Sequence, residues 1–199
     1  IGRGKSLNLG VANANTNWIA IIDADDLWHK MKLKIQKEVL QKNNDIDVLG
    51  TNTVLFSEND VTLDVVINDE INFRKLNKQF LFSNQIAHTS VIIKKELCNY
   101  DIKRKSQFDY ELWLRLRKKG HTLATLDSSL SFHRIHEMQQ FESKMKNKYR
   151  IRSFKLKMHY SFFEFNIKAI VYNTLKLIFD LTLPRQVRLK IRFFLNSKK

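Results

Sequence analysis

The chain has 199 residues and a formal net charge of +15, with 43% hydrophobic residues, 14 Phe and a single Cys. This hydrophobic content is too high for a disordered chain, and the length suffices for one domain with a substantial core. The single cysteine, Cys98, excludes an intrachain disulfide and favours a reducing compartment.

The positive charge is concentrated in the last part of the chain. Residues 144–199 contain 15 Lys or Arg and two acidic residues, Glu164 and Asp180, whereas residues 1–143 carry a net charge of +2. We therefore predict two regions with different tasks. They are a nearly neutral globular domain over 1–143 and a basic amphipathic helical region over 144–199.

Helices and strands alternate in the prediction for residues 1–140. The chain opens on Ile1 rather than Met, and its first residues already lead into a helix, so we expect part of a longer protein to precede them. Helices are predicted at 5–15 (with small residues that pack on a sheet), 29–42, 73–82 and 106–119 (ended by Gly120). Strands are predicted at 18–22, 46–56, 90–93, 122–126 and 130–134, with an irregular or hairpin excursion at 60–72. This alternation predicts an α/β fold with a mainly parallel sheet flanked by helices.

The strand predicted at 18–22 is followed directly by carboxylates. Its apolar run is typical of a buried strand, and Asp23, Asp25 and Asp26 come next. Open α/β sheets bind ligands beyond the carboxyl ends of their strands. Clustered carboxylates repel one another unless a cation holds them, and Mg²⁺ or Mn²⁺ prefers oxygen ligands, often together with substrate phosphates. The segment therefore predicts a divalent metal and a phosphate-bearing substrate.

The same carboxylates have a simpler interpretation. An acidic cluster after a strand is often a solvated turn. Asp25 or Asp26 is also a favourable N-cap for the helix predicted at 29–42. The cluster alone does not decide between these interpretations, and the flanking sequence favours the metal site.

Four segments, in order, resemble the inverting glycosyltransferases of family 2, which have the GT-A fold. They are Asn8 to Asn15, Trp18 to Trp28 with its Asp-Ala-Asp motif, His88 to Lys95, and Gln107 to Leu116 followed by Phe132 to His136. The resemblance implies a GT-A-like (Rossmann-like) mixed sheet, a nucleotide-sugar donor with UDP favoured, and Mn²⁺ or Mg²⁺. It also implies a glycan or lipid-linked acceptor in bacterial surface-polysaccharide synthesis. Because the family's base-binding strand and loop precede the residue aligned with Ile1, we expect weak donor binding by this chain alone.

The resemblance implies roles for the carboxylates. Asp23 lies near the nucleotide, Asp25 binds the metal that bridges the donor diphosphate, and Asp26 assists them or caps the next helix. The cation is needed because the diphosphate leaving group gains negative charge. Asp109 corresponds to the general base that takes the acceptor proton, with an oxocarbenium-like transition state. Many relatives have an acidic residue before this base, where this chain has Phe108, and a helix N-cap is the alternative role for Asp109.

The resemblance also implies further site residues. His136 corresponds to a histidine that completes the metal or diphosphate site in some relatives, and Arg134 is a candidate diphosphate contact. His88 is either an acceptor contact or a core histidine, and Lys5 lies near the nucleotide. Trp113 is expected in the core rather than as a sugar-stacking platform.

The basic region favours a membrane surface. Residues 167–183 are apolar but contain Lys168, Lys176 and Asp180, so they are a poor candidate for a helix that spans a bilayer. Lysines among Phe, Leu and Ile on helices are typical of segments that lie on anionic lipid. We predict that 144–199 docks the enzyme peripherally on the cytoplasmic face of the bacterial plasma membrane. The alternative is a solvated helical bundle that packs on the globular domain.

Two other functions are compatible with the sequence at this point. A strongly basic composition is typical of nucleic-acid-binding proteins. However, the charge lies outside the motif-bearing region and no nucleic-acid motif is present, so no nucleic-acid partner is expected. The other possibility is an inactive glycosyltransferase remnant, because the donor-binding start is not in this chain. Metal-dependent UDP binding separates the enzyme from the first alternative, and turnover by a longer chain separates it from the second.

Overall fold

The computed structural model describes residues 2–57, 71–135, 146–183 and Val187. The chain divides into two compact units, Ile1–Gln139 and Gln140–Lys199. Among the described residues, the first unit holds a sheet and three α-helices, and the second holds two α-helices. The excursion predicted at 60–72 lies almost entirely outside the described residues.

The first unit is built on one six-stranded sheet. The strands are β1 (Trp18–Ala20), β2 (Leu27–Trp28), β3 (Val48–Phe56), β4 (Phe73–Leu76), β5 (Ile92–Lys94) and β6 (Leu123–Arg134). Their order is β1-β5-β3-β6-β2, and β4 also pairs with β6. The predicted mixed α/β fold is confirmed.

The expectation that this sheet is mainly parallel is wrong. Only β3 and β6 pair in parallel, and the other four ladders within the described part of the sheet are antiparallel. The reason is that β5 lies between β1 and β3 and runs opposite to both. The three strands β1, β3 and β6 share one direction, so their carboxyl ends still meet at one edge of the sheet.

The helices are α1 (Arg3–Asn13), α2 (Lys32–Lys42), α3 (Phe108–Lys118), α4 (Lys146–Phe163) and α5 (Ile167–Thr182). The predicted helices at 5–15, 29–42 and 106–119 are thus present, with shifted ends. The helix predicted at 73–82 is wrong. Its first half is β4, which pairs with Leu123 to Leu126, and a short 3₁₀ helix at Lys78–Leu81 follows.

One long strand, β6, replaces the two strands predicted at 122–126 and 130–134. Its register with β3 shifts on either side of Asn52, which is the signature of a β-bulge. The Asn52 side-chain amide donates to the carbonyl of Asp127 (2.7 Å), so this bulged backbone group has a partner. The first half of β6 pairs with β4 and the second half with β2. The bulge therefore divides one strand between two neighbours.

Helices α2 and α3 both bury apolar side chains. The core on the α2 side contains Ile35, Val39, Leu40, Ile46, Leu49, Leu126 and Leu130. Trp113 of α3 is fully buried, as predicted. Beyond α3, Gly120 has φ 88° and donates to the Arg117 carbonyl, while His121 donates to that of Leu116. These are the two bonds of a Schellman motif, which explains why a glycine ends this helix.

The expectation of a buried β1 strand covered by small residues of α1 is wrong. Trp18 and Ile19 are half-buried, Ala20 is exposed, and Gly10 of α1 is exposed as well. The only buried residue of α1 is Gly4, where an added Cβ would lie 3.0 Å from the Phe108 ring. The physical reason is that β1 has one neighbour, β5, within the described sheet and lies at the end of the strand order.

Within its described residues, the second unit holds α4 and α5, which pack against each other and are joined by a turn at 164–166. The Asn166 side chain accepts from the Ala169 amide at 2.9 Å and so caps α5. No helix within the described residues is long and apolar enough to cross a membrane.

Candidate active site

The acidic segment, residues 21–26 between β1 and β2, crosses the edge of the sheet at which β1, β3 and β6 end. It leaves β1, which lies at one end of the strand order, and enters β2, which lies at the other. Within it, the Asp26 amide donates to the Asp23 carbonyl (3.1 Å), so the carboxylates sit on a tight turn. The predicted placement of this motif at the carboxyl end of a strand agrees with the structure.

Asp23 is held between two basic side chains. Its carboxylate accepts from Nη2 of Arg3 at 3.1 Å and lies 3.4 Å from Nδ1 of His88. The hydrogen bond with His88, followed by the charges of His88 and Arg3, keeps the pKa of Asp23 below its usual value although partial burial opposes this. Asp23 is therefore an ionised carboxylate with a fixed orientation.

His88 is a buried link between Asp23 and Tyr100. Its Nε2 lies 2.9 Å from the Tyr100 hydroxyl. The Tyr100 backbone is fixed by Asn8 of α1 through two reciprocal hydrogen bonds of 2.8 Å. Burial raises the pKa of Tyr100, and the nearby Cys98, Asp109 and Asp23 raise it further. His88 therefore contacts Asp23. Asp23 and Asp109 both lie close enough to the Tyr100 hydroxyl to raise its pKa, so Tyr100 stays neutral.

The Asp26 carboxylate links the acidic turn to the end of β6. Its buried carboxylate accepts from the Arg134 backbone amide and lies near His133 Nδ1, each at 3.0 Å. The Arg134 side chain donates in turn to the Asp25 carbonyl (3.0 Å), with its guanidinium 4.6 Å from the Phe56 ring centroid. The expectation that Asp25 or Asp26 caps the next helix is wrong, because β2 intervenes and α2 begins at Lys32.

Asp25 is the exposed carboxylate of the turn. Among the described residues, no group of three or more His, Cys, Asp or Glu side chains is arranged to hold a metal ion. Magnesium sites of phosphate-transferring enzymes need only one or two protein carboxylates, because substrate phosphates and water complete the shell. Asp25, with Asp23 beside it in the turn, fits that kind of site. His136 lies outside the described residues.

Asp109 lies in the first turn of α3. It is half-buried and accepts from the Asn84 side-chain amide at 2.8 Å. The N-cap position belongs to Gln107, which has a left-handed backbone (φ 57°), so the alternative role of Asp109 as the N-cap is wrong. A carboxylate in the first helical turn is favoured by the helix dipole.

Several contacts were not predicted from the sequence. Lys5 is exposed on α1, and Arg3, two residues before it, is the residue that contacts Asp23. Tyr100 and Asn84 were likewise missed. These residues carry no spacing signal, because only the packing of α1 and of the 84–100 segment brings them to the carboxylates. An open groove of about 570 Å³ between α1 and β1 is also lined by Arg3 and Tyr100.

Solved structures with a similar fold are glycosyltransferases. TarS of S. aureus (residues 1–349), solved in complex with UDP-GlcNAc, matches with a TM-score of 0.56 and 14% identity. The match covers 90% of this chain and 54% of that chain. The first unit therefore has the GT-A-like fold of that class.

Sequence comparisons match the first half of the chain to one family. Residues 2–99 match the model of Glycosyl transferase family 2. An uncharacterized glycosyltransferase of Methanocaldococcus jannaschii is 27% identical, with 100% of this chain and 71% of the relative covered. These similarities support a glycosyltransferase of family 2, and with it a transferase enzyme. Members of this family generally use a divalent cation.

Two bacterial relatives are named for O-antigen biosynthesis and for glucosyl transfer to a diphosphoundecaprenol acceptor. The O-antigen biosynthesis glycosyltransferase WbnJ of Escherichia coli is 28% identical, over 66% of this chain and 52% of the relative. The E. coli enzyme WfgD, a UDP-Glc:alpha-D-GlcNAc-diphosphoundecaprenol beta-1,3-glucosyltransferase, is 27% identical. The match covers 62% of this chain and 47% of the relative. The chain thus spans about half the length of these two relatives.

Proposed function

We propose that this protein transfers a sugar from a nucleoside-diphosphate sugar, with UDP as the favoured nucleotide, to a glycan or lipid-linked acceptor with inversion at C1. The observation that carries the proposal is the acidic turn at the sheet edge. It pairs an ionised Asp23, fixed by Arg3 and His88, with an exposed Asp25. Such a turn provides oxygen ligands and nearby cationic groups for a diphosphate.

The donor side is assigned to the turn and its neighbours. Asp25 holds Mn²⁺ or Mg²⁺, with His136 as the proposed additional ligand, and Asp23, Lys5 and Arg134 position the nucleotide. When bound, the cation supplies stabilisation of the negative charge that develops on the diphosphate. His88 belongs to the substrate-binding set through its contact with Asp23.

The acceptor side is assigned to Asp109. As the acceptor hydroxyl oxygen attacks C1 of the donor sugar, its proton passes to the Asp109 carboxylate. The bond from C1 to the diphosphate oxygen breaks at the same time, and the nucleoside diphosphate leaves with the electron pair. Asn84 orients the base through its 2.8 Å hydrogen bond.

The proposed biological setting is the synthesis of cell-surface polysaccharide. Support comes from the names of the O-antigen relative, the diphosphoundecaprenol-linked glucosyltransferase and the amylovoran biosynthesis glycosyltransferase AmsE of Erwinia amylovora. Undecaprenol-linked acceptors lie in a membrane. We therefore also propose that the basic residues of 144–199 hold the enzyme on the cytoplasmic face of an anionic membrane.

Calorimetric titration with UDP, with and without Mn²⁺, tests the site. The intact chain is compared with Asp25→Asn and with Asp127→Asn, a change at an exposed aspartate of β6 away from the turn. We expect metal-dependent UDP binding in the chain and in Asp127→Asn, and its loss in Asp25→Asn. Equal metal-dependent binding by all three proteins contradicts the role of Asp25.

A further inference from the structure

The α4–α5 hairpin buries several polar side chains and leaves many apolar side chains exposed. Small and polar residues lie inside it: Ser161 and Ala169 are fully buried, and Asn173 is 1% exposed. Arg150 donates to the Asp180 carbonyl (2.8 Å), and Lys176 pairs with the Asp180 carboxylate (3.4 Å). The Arg150 hydrogen bond joins the two helices, the Lys176 pair lies within α5, and the apolar Leu156 and Tyr160 of α4 are buried as well.

The outward face of α5 is apolar. Ile167, Val171, Leu175 and Ile178 are between 51% and 73% exposed and follow one another at intervals of four, four and three residues. This spacing places them in one stripe along the helix. The buried Ala169 and Asn173 lie two residues out of phase with it, and therefore on the opposite face.

The turn of the hairpin continues this apolar surface. Phe162, Phe163 and Phe165 are 58%, 59% and 88% exposed. Phe165 has φ 50°, a left-handed conformation that is unusual for a bulky residue. Contiguous exposed apolar surface of this kind marks a binding site for a membrane or another protein.

The charge of residues 144–199 indicates which kind of partner binds the apolar surface. Residues 144–199 contain 15 basic and two acidic residues. Lys148 and Lys155 of α4 and Lys168 of α5 are exposed on the same two helices. Apolar helical faces rimmed by lysines are typical of helices that lie in the interface of an anionic bilayer, with the apolar side in the boundary between headgroups and acyl chains.

We propose that the α4–α5 hairpin inserts its apolar surface into the acyl boundary of an anionic membrane, with the turn 162–167 as the deepest point. This inference rests on the membrane contact of the proposed function and adds to it the inserted surface. Neither helix is a candidate to cross the bilayer. The hairpin therefore lies in one leaflet, and the lysines remain at the headgroups.

Vesicle binding of the full chain tests the proposal. Vesicles of phosphatidylcholine and phosphatidylglycerol in equal parts are compared with pure phosphatidylcholine, at low salt and at about 0.5 M salt, where surface charges are largely screened. We expect binding to the anionic vesicles that persists at high salt. The triple change Phe163→Ser, Phe165→Ser and Ile167→Ser is expected to weaken partitioning by at least ~10-fold and to make the remaining binding salt-sensitive.

Matched controls separate insertion from loss of folding. Leu9→Ser and Leu55→Ser change exposed aliphatic residues of the first unit and are expected to leave vesicle binding unchanged. An environment-sensitive fluorophore on Phe165→Cys should shift to the blue with anionic vesicles, and the same label on Leu55→Cys should not. The native Cys98 is buried, so the label reports on the introduced site.

The outcomes distinguish the two levels of the proposal. Binding that high salt abolishes, with no shift of the label, overturns insertion and leaves the proposed membrane contact intact. Absence of vesicle binding under all conditions overturns both. A dimer in light scattering that the triple change dissociates, without any effect of lipid, overturns insertion in favour of a second copy of the chain on this surface.

Discussion

Asp109 is the residue whose proposed role is most directly tested by an isosteric change. In Asp109→Asn the side-chain oxygen still accepts from Asn84, but the group no longer takes a proton. We expect the rate of UDP release from a UDP-sugar to fall by ~10²–10⁴-fold, with metal-dependent UDP binding unchanged.

The control for this change is Asn84→Ala, which removes the orienting hydrogen bond and leaves the carboxylate in place. A smaller loss of rate is expected there. If Asp109→Asn transfers sugar as fast as the unmodified chain, Asp109 is not the base.

Asp23 gives a prediction for stability against pH. Its pKa is lowered in the folded protein, mainly by the hydrogen bond with His88. A carboxyl with a lowered folded pKa stabilises the fold above its unfolded pKa, and this contribution disappears as pH falls through the folded value. The difference in unfolding free energy between the chain and Asp23→Asn should therefore be constant near neutral pH and shrink below 3.8, the ordinary value for this group.

Urea unfolding over a series of pH values measures this difference. In a His88→Gln background the difference at neutral pH should be smaller, because the largest cause of the lowered pKa is gone. A difference that is independent of pH shows that Asp23 does not titrate as the contacts with His88 and Arg3 require.

At the scale of elements, β3 and the segment that leads to His88 approach each other closely at Gly50. A Cβ on Gly50 would lie 2.5 Å from Cγ2 of Ile86, closer than packed carbons tolerate. We expect Gly50→Ala to destabilise the fold by ~1–3 kcal/mol in urea unfolding. The same change should cost less in an Ile86→Ala background, because alanine lacks the Cγ2 that the new Cβ would meet.

Gly10 provides the matched control. It lies within α1, and a Cβ there has nothing within 4 Å. Gly10→Ala should therefore stabilise the helix by about 0.5–1 kcal/mol through backbone entropy. Equal effects at the two glycines contradict the close approach at Gly50.

The elements that the sequence predicts well are those with a strong internal period. The apolar positions Ile35, Val39 and Leu40 identify α2, and Gly120 marks the end of α3. The sequence does not predict elements that depend on pairing with a strand far along the chain. Phe73 to Leu76, for example, is a strand because β6 lies beside it.

Lys32 shows the same limit for burial. It is fully buried on α2, donates to Gln36 (2.8 Å) and lies 4.0 Å from the Trp28 ring centroid, and burial lowers its pKa to about 7. Because α2 contains several lysines, the sequence does not indicate that this one is buried. The site divides in the same way: its carboxylates follow a recognisable strand, whereas Arg3 and Tyr100 reach Asp23 and His88 only through tertiary packing.

At the scale of the whole molecule, charge and motif are separated along the chain. Residues 144–199 carry a net charge of +13, and the motif-bearing 1–143 carries +2. We expect binding to duplex DNA to be weak, independent of sequence and steeply reduced by salt, since it would rest on phosphate neutralisation alone. Saturating DNA should leave metal-dependent UDP binding unchanged in calorimetry, and competition between the two contradicts this separation.

The path of the acidic segment across the sheet fixes its length. Between β1 and β2 lie β5, β3 and β6, so the chain must cover four strand spacings, or roughly 19 Å in a flat sheet. Seven Cα steps, from Ala20 to Leu27, reach at most about 25 Å, and the turn at Asp23–Asp26 consumes part of that. The motif is therefore a nearly taut bridge. A deletion within it would therefore pull β2 out of register with β6.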